Sequence, residues 1–468
     1  MPNKMPQKCR IKCHKNAESI AYIKKKLYLC SGFQKYSRMN YFERVADQML
    51  RDRLDAFGAV LIEGPKWIGK TTTAEQQAKS ILKMQDPDMG SNYLVTAETK
   101  PSLLLNGEQP RLIDEWQDAP VIWDAVRTAV DNAGGKPGQY ILTGSNTVDE
   151  SKIRHTGTGR ITRMRMLPMS LWESHESTGE VSIHELFNNP DYDIDGAQGK
   201  LDIPEIIRAA CRGGWPAALQ LKPQMATMIA KDYFNSVCDK DILRIDNTQR
   251  NPKIARQILR SYARNISTLA MKKSIWEDVT ASEEIDISID TLDDYIRALE
   301  KLFVIQDIEA WCPAIRSKTA IRSAPKRGFC DPSIAIAALN VNAEGLETQL
   351  KTFGFIFEQM CIRDLKAYTA DFNSHVSHYR DRYGLEADVV LHLEDERYAL
   401  IECKLGSKEI EEGAGHLNEI HRLIREKNLK EKQVPLREPD LKIIITGGPI
   451  AYKRKDGVFV IPLAALKP

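Results

Sequence analysis

The stretch Phe57 to Gln77, FGAVLIEGPKWIGKTTTAEQQ, constrains this chain more than any other. Its apolar run from Ala59 to Ile62 predicts a buried strand; Gly64 breaks the run, Gly69, Lys70 and Thr71 follow, and then come residues compatible with a helix. The spacing G-x-x-x-x-G-K-[ST] is that of a phosphate-binding loop. Its glycines let successive backbone N–H groups curl around phosphate oxygens, and the following helix turns its positive end to the same anion. On this reading Gly64, Pro65, Lys66, Trp67, Ile68, Gly69, Lys70, Thr71 and Thr72 form the cradle. Lys70 reaches the β- and γ-phosphates of a nucleotide and Thr71 ligates Mg²⁺. A chance match arises in on the order of one chain in a hundred of this length, and the strand before and helix after make chance the weaker explanation.

With 468 residues, 42% of them apolar, two to four domains with their own cores are expected. No window approaches the roughly 18 uninterrupted apolar residues of a membrane span, and no apolar run follows the N-terminal lysines as in a signal peptide. A cytoplasmic protein with no membrane partner is the expectation. The nine cysteines lack paired spacing apart from Cys9, Cys13 and Cys30, which predicts free thiols. Cys9-x-x-x-Cys13-His14 has no second pair at zinc-finger distance. Residues 1–38 hold ten Lys or Arg against the single Glu18, leaving 56 basic and 63 acidic residues for the rest of the chain. A slightly acidic body weakens duplex DNA as the main partner, while leaving room for a local patch.

Taken in order, residues 1–38 show no sustained amphipathic period and predict a disordered basic tail. A nucleic-acid-binding arm, or a true start at Met39, are the alternatives. A helical pattern then carries Val45, Met49, Leu54 and Phe57 into the phosphate loop. Tyr93 to Val95 reads as a short strand. Leu112-Ile113-Asp114-Glu115 predicts a strand ending in two carboxylates at the carboxyl edge of the sheet, where open α/β sheets bind ligands. Asp114 there would hold Mg²⁺ through water, and Glu115 would orient and deprotonate an attacking water; a pair of helix-capping acids is the plainer alternative. A helix over VIWDAVRTAVDNA and a buried strand Tyr140 to Thr143 follow. Ser145 and Asn146, just past that strand, either sense the γ-phosphate and position water or form a polar turn. Arg160, Arg163 and Arg165 then alternate on a strand pattern, and an arginine just before the last sheet strand can reach a neighbouring subunit's nucleotide.

The segments FGAVLIEGPKWIGKTTTA, PRLIDEWQDAP, IWDAVR, GQYILTGSN, HTGTGR and MLPMSLWES together resemble the bacterial and archaeal AAA-type ATPases that carry a C-terminal domain of uncharacterised function. The resemblance runs from about Met39 to the C-terminus. It implies an α/β P-loop core of AAA type with ATP and Mg²⁺ as cofactors: Gly69, Lys70 and Thr71 bind phosphate and metal, Asp114 and Glu115 serve hydrolysis, and Arg160 resembles an arginine finger. Pro110 and Arg111 depart from the family's pattern, standing where apolar residues precede the acidic pair.

Residues 186–202, dense in Asn, Asp, Gly and Pro, read as a linker or domain edge. Helical periodicity resumes from Ile203, and Ala255 to Trp311 predicts three amphipathic helices followed by a strand, FVIQDIEAW, an arrangement resembling a winged helix. The third helix carries Asp290, Asp293, Asp294 and Glu300 against Arg297 and Lys301. A negative face opposes phosphate, so a packing or oligomerisation module is favoured over a DNA reader.

The last part of the chain has its own constellation. A helix begins around Phe355 and contains Glu358, and two strands carry Asp388 and the pair Glu402 and Lys404. The turn Glu394-Asp395-Glu396 makes these strands a hairpin that brings Asp388 alongside Glu402. Two carboxylates beside a lysine suit a Mg²⁺-dependent phosphodiesterase, with Asp388 and Glu402 as metal ligands. The pattern resembles the PD-(D/E)xK nuclease fold, restriction-endonuclease-like, with Asp388, Glu402 and Lys404 at matching positions and Glu358 as the helical acid. A salt-bridged sheet face on a fold without that chemistry is the alternative.

The expected organisation is therefore a tail (1–38), a P-loop AAA-type domain (39–185), a linker and helical region (186–245), a winged-helix-like region (246–311), a connection (312–345) and a nuclease-like α/β domain (346–468). Three functions compete: an ATPase coupled to its C-terminal domain, an ATP-dependent nuclease in DNA processing or defence, and a nucleotide-switched interaction protein. Homo-oligomers, nucleic acid and an unidentified protein client are the candidate partners.

Overall fold

Short apolar strands alternating with amphipathic helices can bury both faces of a parallel sheet, and the first part of the chain folds that way. Helix α1 (Val45–Ala56) leads to β1 (Ala59–Glu63), the phosphate loop and α2 (Lys70–Gln77). There follow β2 (Ser80–Lys83), α3 (Gly90–Thr99), β3 (Arg111–Asp114), α4 (Val121–Asn132), β4 (Tyr140–Thr143) and β5 (Ile161–Arg165). The strands lie parallel in the order β2-β3-β4-β1-β5, so β4 stands between the strand of the loop and the strand of the acidic pair. Side chains alternate across this sheet as the pleat requires. Val60, Ile62, Leu112 and Ile141 face the larger core; Leu61, Ile113 and Leu142 face Ile122, Trp123 and Val126 of α4.

The computed structural model describes residues 41–144, 155–246, 248–281, 285–313, 323–430 and 435–468. Glu43–Pro468 form one unit. The basic tail with Met39 and its cysteines lies outside the described residues, as do Ser145 and Asn146. The six described cysteines are free. No helix among the described residues is long and apolar enough to cross a membrane.

Three local readings change. Tyr93 to Val95 lie within α3, and the strand between the loop helix and β3 is Ser80–Lys83. That strand sits at the sheet's edge with only Leu82 buried, which leaves little apolar signal in its sequence. Arg160 precedes β5, so Arg163 and Arg165 alone lie on the strand. Arg163 pairs with Glu63 at 3.0 Å and lies over the Trp123 ring, while Arg165 lies over Phe303. Arg111 is accommodated in β3 because its guanidinium leaves the strand to meet Leu104 O at 2.9 Å and Ser80 Oγ at 3.0 Å.

Beyond the sheet, the short strand β6 (Val181–Ser182) and α5 (Ile183–Asn188) precede a helical region. It comprises α6 (Ile203–Arg212), α7 (Pro223–Asp239), α8 (Pro252–Arg264), α9 (Lys272–Thr280), α10 (Ile289–Lys301), α11 (Pro332–Leu339) and α12 (Ala343–Glu347). The expected strand after α10 is replaced by isolated bridges, Ile305 with Phe329, Ile308 with Lys326 and Ala310 with His378. From Val304 to Ile308 the segment runs antiparallel to residues 326–330 in one register, and at Ala310 it passes to His378. Acids of α10 are spent within the fold: Asp293 meets Lys272 at 2.7 Å and Asp294 meets Arg250 at 2.8 Å.

The final segment contains α13 (Leu350–Tyr368), which starts five residues before the expected Phe355, then β7 (Ser374–Arg380), β8 (Glu386–Leu393), β9 (Tyr398–Lys404), α14 (Ile410–Lys430), β10 (Leu441–Thr446), β11 (Tyr452–Lys453), β12 (Phe459–Pro462) and β13 (Leu466–Lys467). Six strands make one mixed sheet in the order β11-β12-β10-β9-β8-β7. Val389, Ile401 and Ile443 face the core that holds Phe353, Phe357 and Met360 of α13; Val390, Leu400 and Ile444 face Leu417, Ile420 and Ile424 of α14.

The expected linker at 186–202 is bonded to this segment. Ala451 N donates to Ala197 O at 2.7 Å, Gly199 N to Pro449 O at 2.8 Å, and β6 pairs in parallel with β13. Its polar, glycine-rich composition exposes backbone groups, and here those groups are satisfied by another part of the chain. A second seam is ionic and buried. Arg363 holds Asp331 at 3.1 Å and Asp364 at 2.6 Å; Asp331 accepts from Gly214 N at 2.9 Å and Asp364 from Leu171 N at 3.1 Å. One guanidinium thus joins the segment that follows β5, the helical region and α13.

Candidate functional site

The phosphate loop is shaped by two glycines in conformations that L side chains rarely adopt, Gly64 at φ +147° and Gly69 at φ +93°. A Cβ on Gly64 would stand 2.3 Å from Met166 O, so that position tolerates nothing larger. Gly69 opens α2 and delivers Lys70 as its first residue. The Lys70 ammonium, buried, curls into the loop and donates to Gly64 O at 2.8 Å and Pro65 O at 2.7 Å. Burial, helped by Lys66, lowers its pKa to about 8 against the pull of Glu115 and Asp114. The rim of the loop is held from outside the sheet: Lys66 pairs with Asp241 at 2.7 Å, and the Trp67 ring meets Tyr233 of α7 edge-on at 5.6 Å.

At the carboxyl ends of the strands, Asp114 Oδ1 accepts from Thr71 Oγ1 at 2.7 Å and from Thr143 Oγ1 at 2.6 Å. The inserted strand β4 makes this convergence possible, since Thr143 sits beside Asp114 in register. Hydroxyl and carboxylate oxygens are the donors that suit Mg²⁺, and the loop with its lysine suits a polyphosphate, so the residues fit both groups. Glu115 follows with φ +54°, an uncommon conformation for a residue other than glycine. Gln117 Nε2 donates to Glu115 Oε2. The structure thus brings together Lys70, Thr71, Asp114 and Glu115 from the sequence reading and adds Thr143 and Gln117. Thr143 was recoverable as the last polar residue of an apolar strand.

Arg160 stands at the opposite end of the sheet. Its carbonyl accepts from Ala59 N at 3.0 Å, its half-exposed side chain meets Asp131 at 2.7 Å, and the length of β1 separates it from its own loop by roughly 15 Å at about 3.3 Å per residue.

The second constellation also assembles. Val389 pairs with Ile401, which sets Asp388 opposite Glu402 on one face of the hairpin. Lys404 Nζ lies 2.6 Å from Glu402 Oε2 and 3.8 Å from Asp388 Oδ2, and Cys403 N donates to Asp388 Oδ2 at 2.9 Å. Glu358 arrives from α13. Between it and Asp388 sits a group that sequence reasoning missed: Lys326, whose ammonium is 2.5 Å from Glu358 Oε1, 3.0 Å from Asp388 O and 3.6 Å from Asp388 Oδ1. It is 62 residues from Asp388 along the chain, and no local pattern announces it. Burial opposes its charge, yet Glu358 and Asp388 outweigh burial and hold its pKa above the usual lysine range. Burial first, and Asp388 second, raises both Glu358 and Glu402 to about 8.

A cleft of about 470 Å³ opens on this cluster, lined also by Lys351, Arg380, Glu386 and Glu409. Among the described residues no group of three or more His, Cys, Asp or Glu side chains is arranged to hold a metal. The four expected residues therefore converge, with the Lys404 ammonium close to the carboxylates of Asp388 and Glu402 and the Lys326 ammonium close to those of Glu358 and Asp388.

Comparison with known proteins divides the chain in three. Residues 56–175 match the family model of an AAA domain, 203–345 a domain of unknown function (DUF8612) and 353–466 a domain of unknown function (DUF4143). No curated protein matches the chain. Among solved structures, it is similar to a Walker-type ATPase of Pyrococcus abyssi, with 14% identity over 65% of this chain and 97% of that one and a TM-score of 0.39. It is also similar to RuvB of Thermotoga maritima, with 18% identity over 56% of this chain and 86% of that one and a TM-score of 0.25. The first sheet belongs to an AAA-type P-loop domain. The two remaining matches carry no assigned function, and the winged-helix and nuclease resemblances gain no support from them.

Proposed function

We propose that the chain is a Mg²⁺-dependent ATPase whose turnover acts on its own C-terminal domain. The observation that carries this reading is the meeting of Thr71, Thr143 and Asp114 on one carboxylate oxygen beside the buried Lys70. Lys70 would leave the carbonyls of Gly64 and Pro65 for the β- and γ-phosphates, exchanging neutral acceptors for charged ones. Thr71 and Asp114 would hold Mg²⁺, which when bound supplies charge neutralisation to the phosphates. Glu115 would take a proton from the attacking water as the γ-phosphorus is attacked in line and ADP leaves with the bond's electron pair.

Coupling is supported by continuity of packing. The loop touches the helical region through Lys66–Asp241 and Trp67–Tyr233, and the Arg363 cluster ties that region to α13. A change at the loop therefore meets packed groups with little freedom to absorb it. Residues 246–311 are then a winged-helix-like packing module, and residues 346–468 a nuclease-like fold that binds a partner. The convergence of Glu358, Asp388, Glu402 and Lys404 favours a second reading, an ATP-dependent nuclease; Lys326 weighs against it, because a cation already faces Glu358 and Asp388.

Steady-state phosphate release from ATP and Mg²⁺, with and without DNA, tests the assignment. Lys70→Ala should lose both affinity and turnover, whereas Glu115→Gln should bind ATP and retain it. Wild-type turnover in the Glu115→Gln chain would remove Glu115 as the base. Absence of turnover in the wild type, with ATP still bound, would leave a nucleotide-switched interaction protein.

A further inference from the structure

Glu115 is not alone at the end of β3. It is followed by a single 3₁₀ turn, Trp116–Asp118, closed by Asp118 N donating to Glu115 O at 3.1 Å. The Trp116 indole anchors this turn: it is buried and packs on Trp123 with ring centroids 5.1 Å apart. The left-handed conformation of Glu115 reverses the chain, so that the side chains of residues 115 and 117 meet. Gln117 donates through Nε2 to the Glu115 carboxylate, while its other arm, Oε1, is buried and has no hydrogen-bond partner among the described residues.

That oxygen lies against Gly144, at the end of β4, where a Cβ would stand 2.4 Å from it. Gly144 directly follows Thr143, the residue that shares the Asp114 oxygen with Thr71. A buried amide oxygen left without a donor is costly, and natural structures keep such groups where a ligand or solvent molecule completes them.

We propose that Gln117 is a positioning residue for hydrolysis, holding the Glu115 carboxylate with its amide group and the attacking water with its amide oxygen. This rests on the ATPase reading above. Water presents two protons. Glu115 takes one as the water oxygen bonds to the γ-phosphorus and the bond to the bridging oxygen breaks, releasing ADP. The other proton needs an acceptor that leaves it in place, and Gln117 Oε1 is a neutral acceptor beside the base. A glutamine that orients the attacking water without titrating is an established solution in nucleotide hydrolysis. Gln117 itself neither gains nor loses a proton, and phosphate forms with all atoms accounted for.

The test uses the full chain with ATP and Mg²⁺. Gln117→Glu keeps size and an acceptor oxygen but replaces the donor to Glu115 with a second carboxylate; Gln117→Ala removes both arms. Both variants should lose about 10²-fold in kcat, the scale of a general acid–base contribution, with KM and ADP affinity within about twofold of wild type. Binding of ADP with aluminium fluoride, which mimics the phosphoryl group in transfer, should weaken in the same variants. A kcat for Gln117→Glu within about threefold of wild type overturns the proposal. So does an affinity loss that parallels the rate loss, which is the mark of a structural role. A wild-type chain that turns over beside an unaffected Gln117→Glu chain refutes the positioning role alone; a wild-type chain that releases no phosphate refutes the hydrolysis reading with it.

Discussion

Lys326 and Glu358 form a buried ion pair of 2.5 Å that joins the segment after α10 to the middle of α13. A charge pair taken out of water is stable only while both members remain, because either one alone keeps its desolvation cost without its partner. Above about pH 8, where Glu358 is ionised, Lys326→Met should therefore cost roughly 3–5 kcal/mol. The double variant with Glu358→Gln should recover part of that loss, since the orphaned carboxylate is then removed. Urea denaturation of the four chains measures the coupling; additive effects would show that the pair is not energetically linked.

The same cluster makes stability fall with rising pH. Glu358 is raised from 4.5 to about 8 by burial and then by Asp388. Because the folded pKa lies above the unfolded one, the native state holds a proton that the unfolded chain has released. The contribution is complete below about pH 4.5 and is lost as pH rises through about 8. Denaturation midpoints from pH 5 to 9 should decline more steeply for wild type than for Glu358→Gln. Parallel profiles would place the proton elsewhere.

Lys66 of the phosphate loop and Asp241 hold the loop against the helical region. Asp241→Asn keeps the shape and removes the charge. Asp241 is buried but Lys66 is a quarter exposed, so solvent screening limits the stability loss to roughly 1–2 kcal/mol. If the contact transmits nucleotide state, the variant should hydrolyse ATP at near the wild-type rate while the ATP-dependent change in protease sensitivity of the C-terminal domain diminishes. An unchanged digestion pattern removes the contact from the coupling route.

Arg160 faces away from its own loop, so any contribution to hydrolysis must come from a second copy. Specific activity should then rise with protein concentration, and Arg160→Ala should lower kcat by roughly 10³-fold. Its partner Asp131 is exposed, so the melting temperature should stay near that of wild type. A flat concentration profile with an active Arg160→Ala chain would exclude a role in trans.

What the sequence determined by itself was local. The run Ala59–Ile62, the glycine spacing and Lys70 encode a strand, a turn and a helix whose phosphate geometry follows from neighbouring residues. The hairpin that sets Asp388 against Glu402 was legible for the same reason, since a short turn fixes register. Strand Ser80–Lys83 was hidden because an edge strand buries little and writes little pattern. Tertiary structure decided the rest. The insertion of β4 between β1 and β3 chose Thr143 as the companion of Asp114, and the left-handed Glu115 turned Gln117 onto the base. Folding of the segment around Lys326 carried a cation into a carboxylate cluster tens of residues away. Such contacts depend on which surfaces pack together, and a desolvated charge draws a partner from wherever the packed chain supplies one, so no sequence window holds both halves of the interaction.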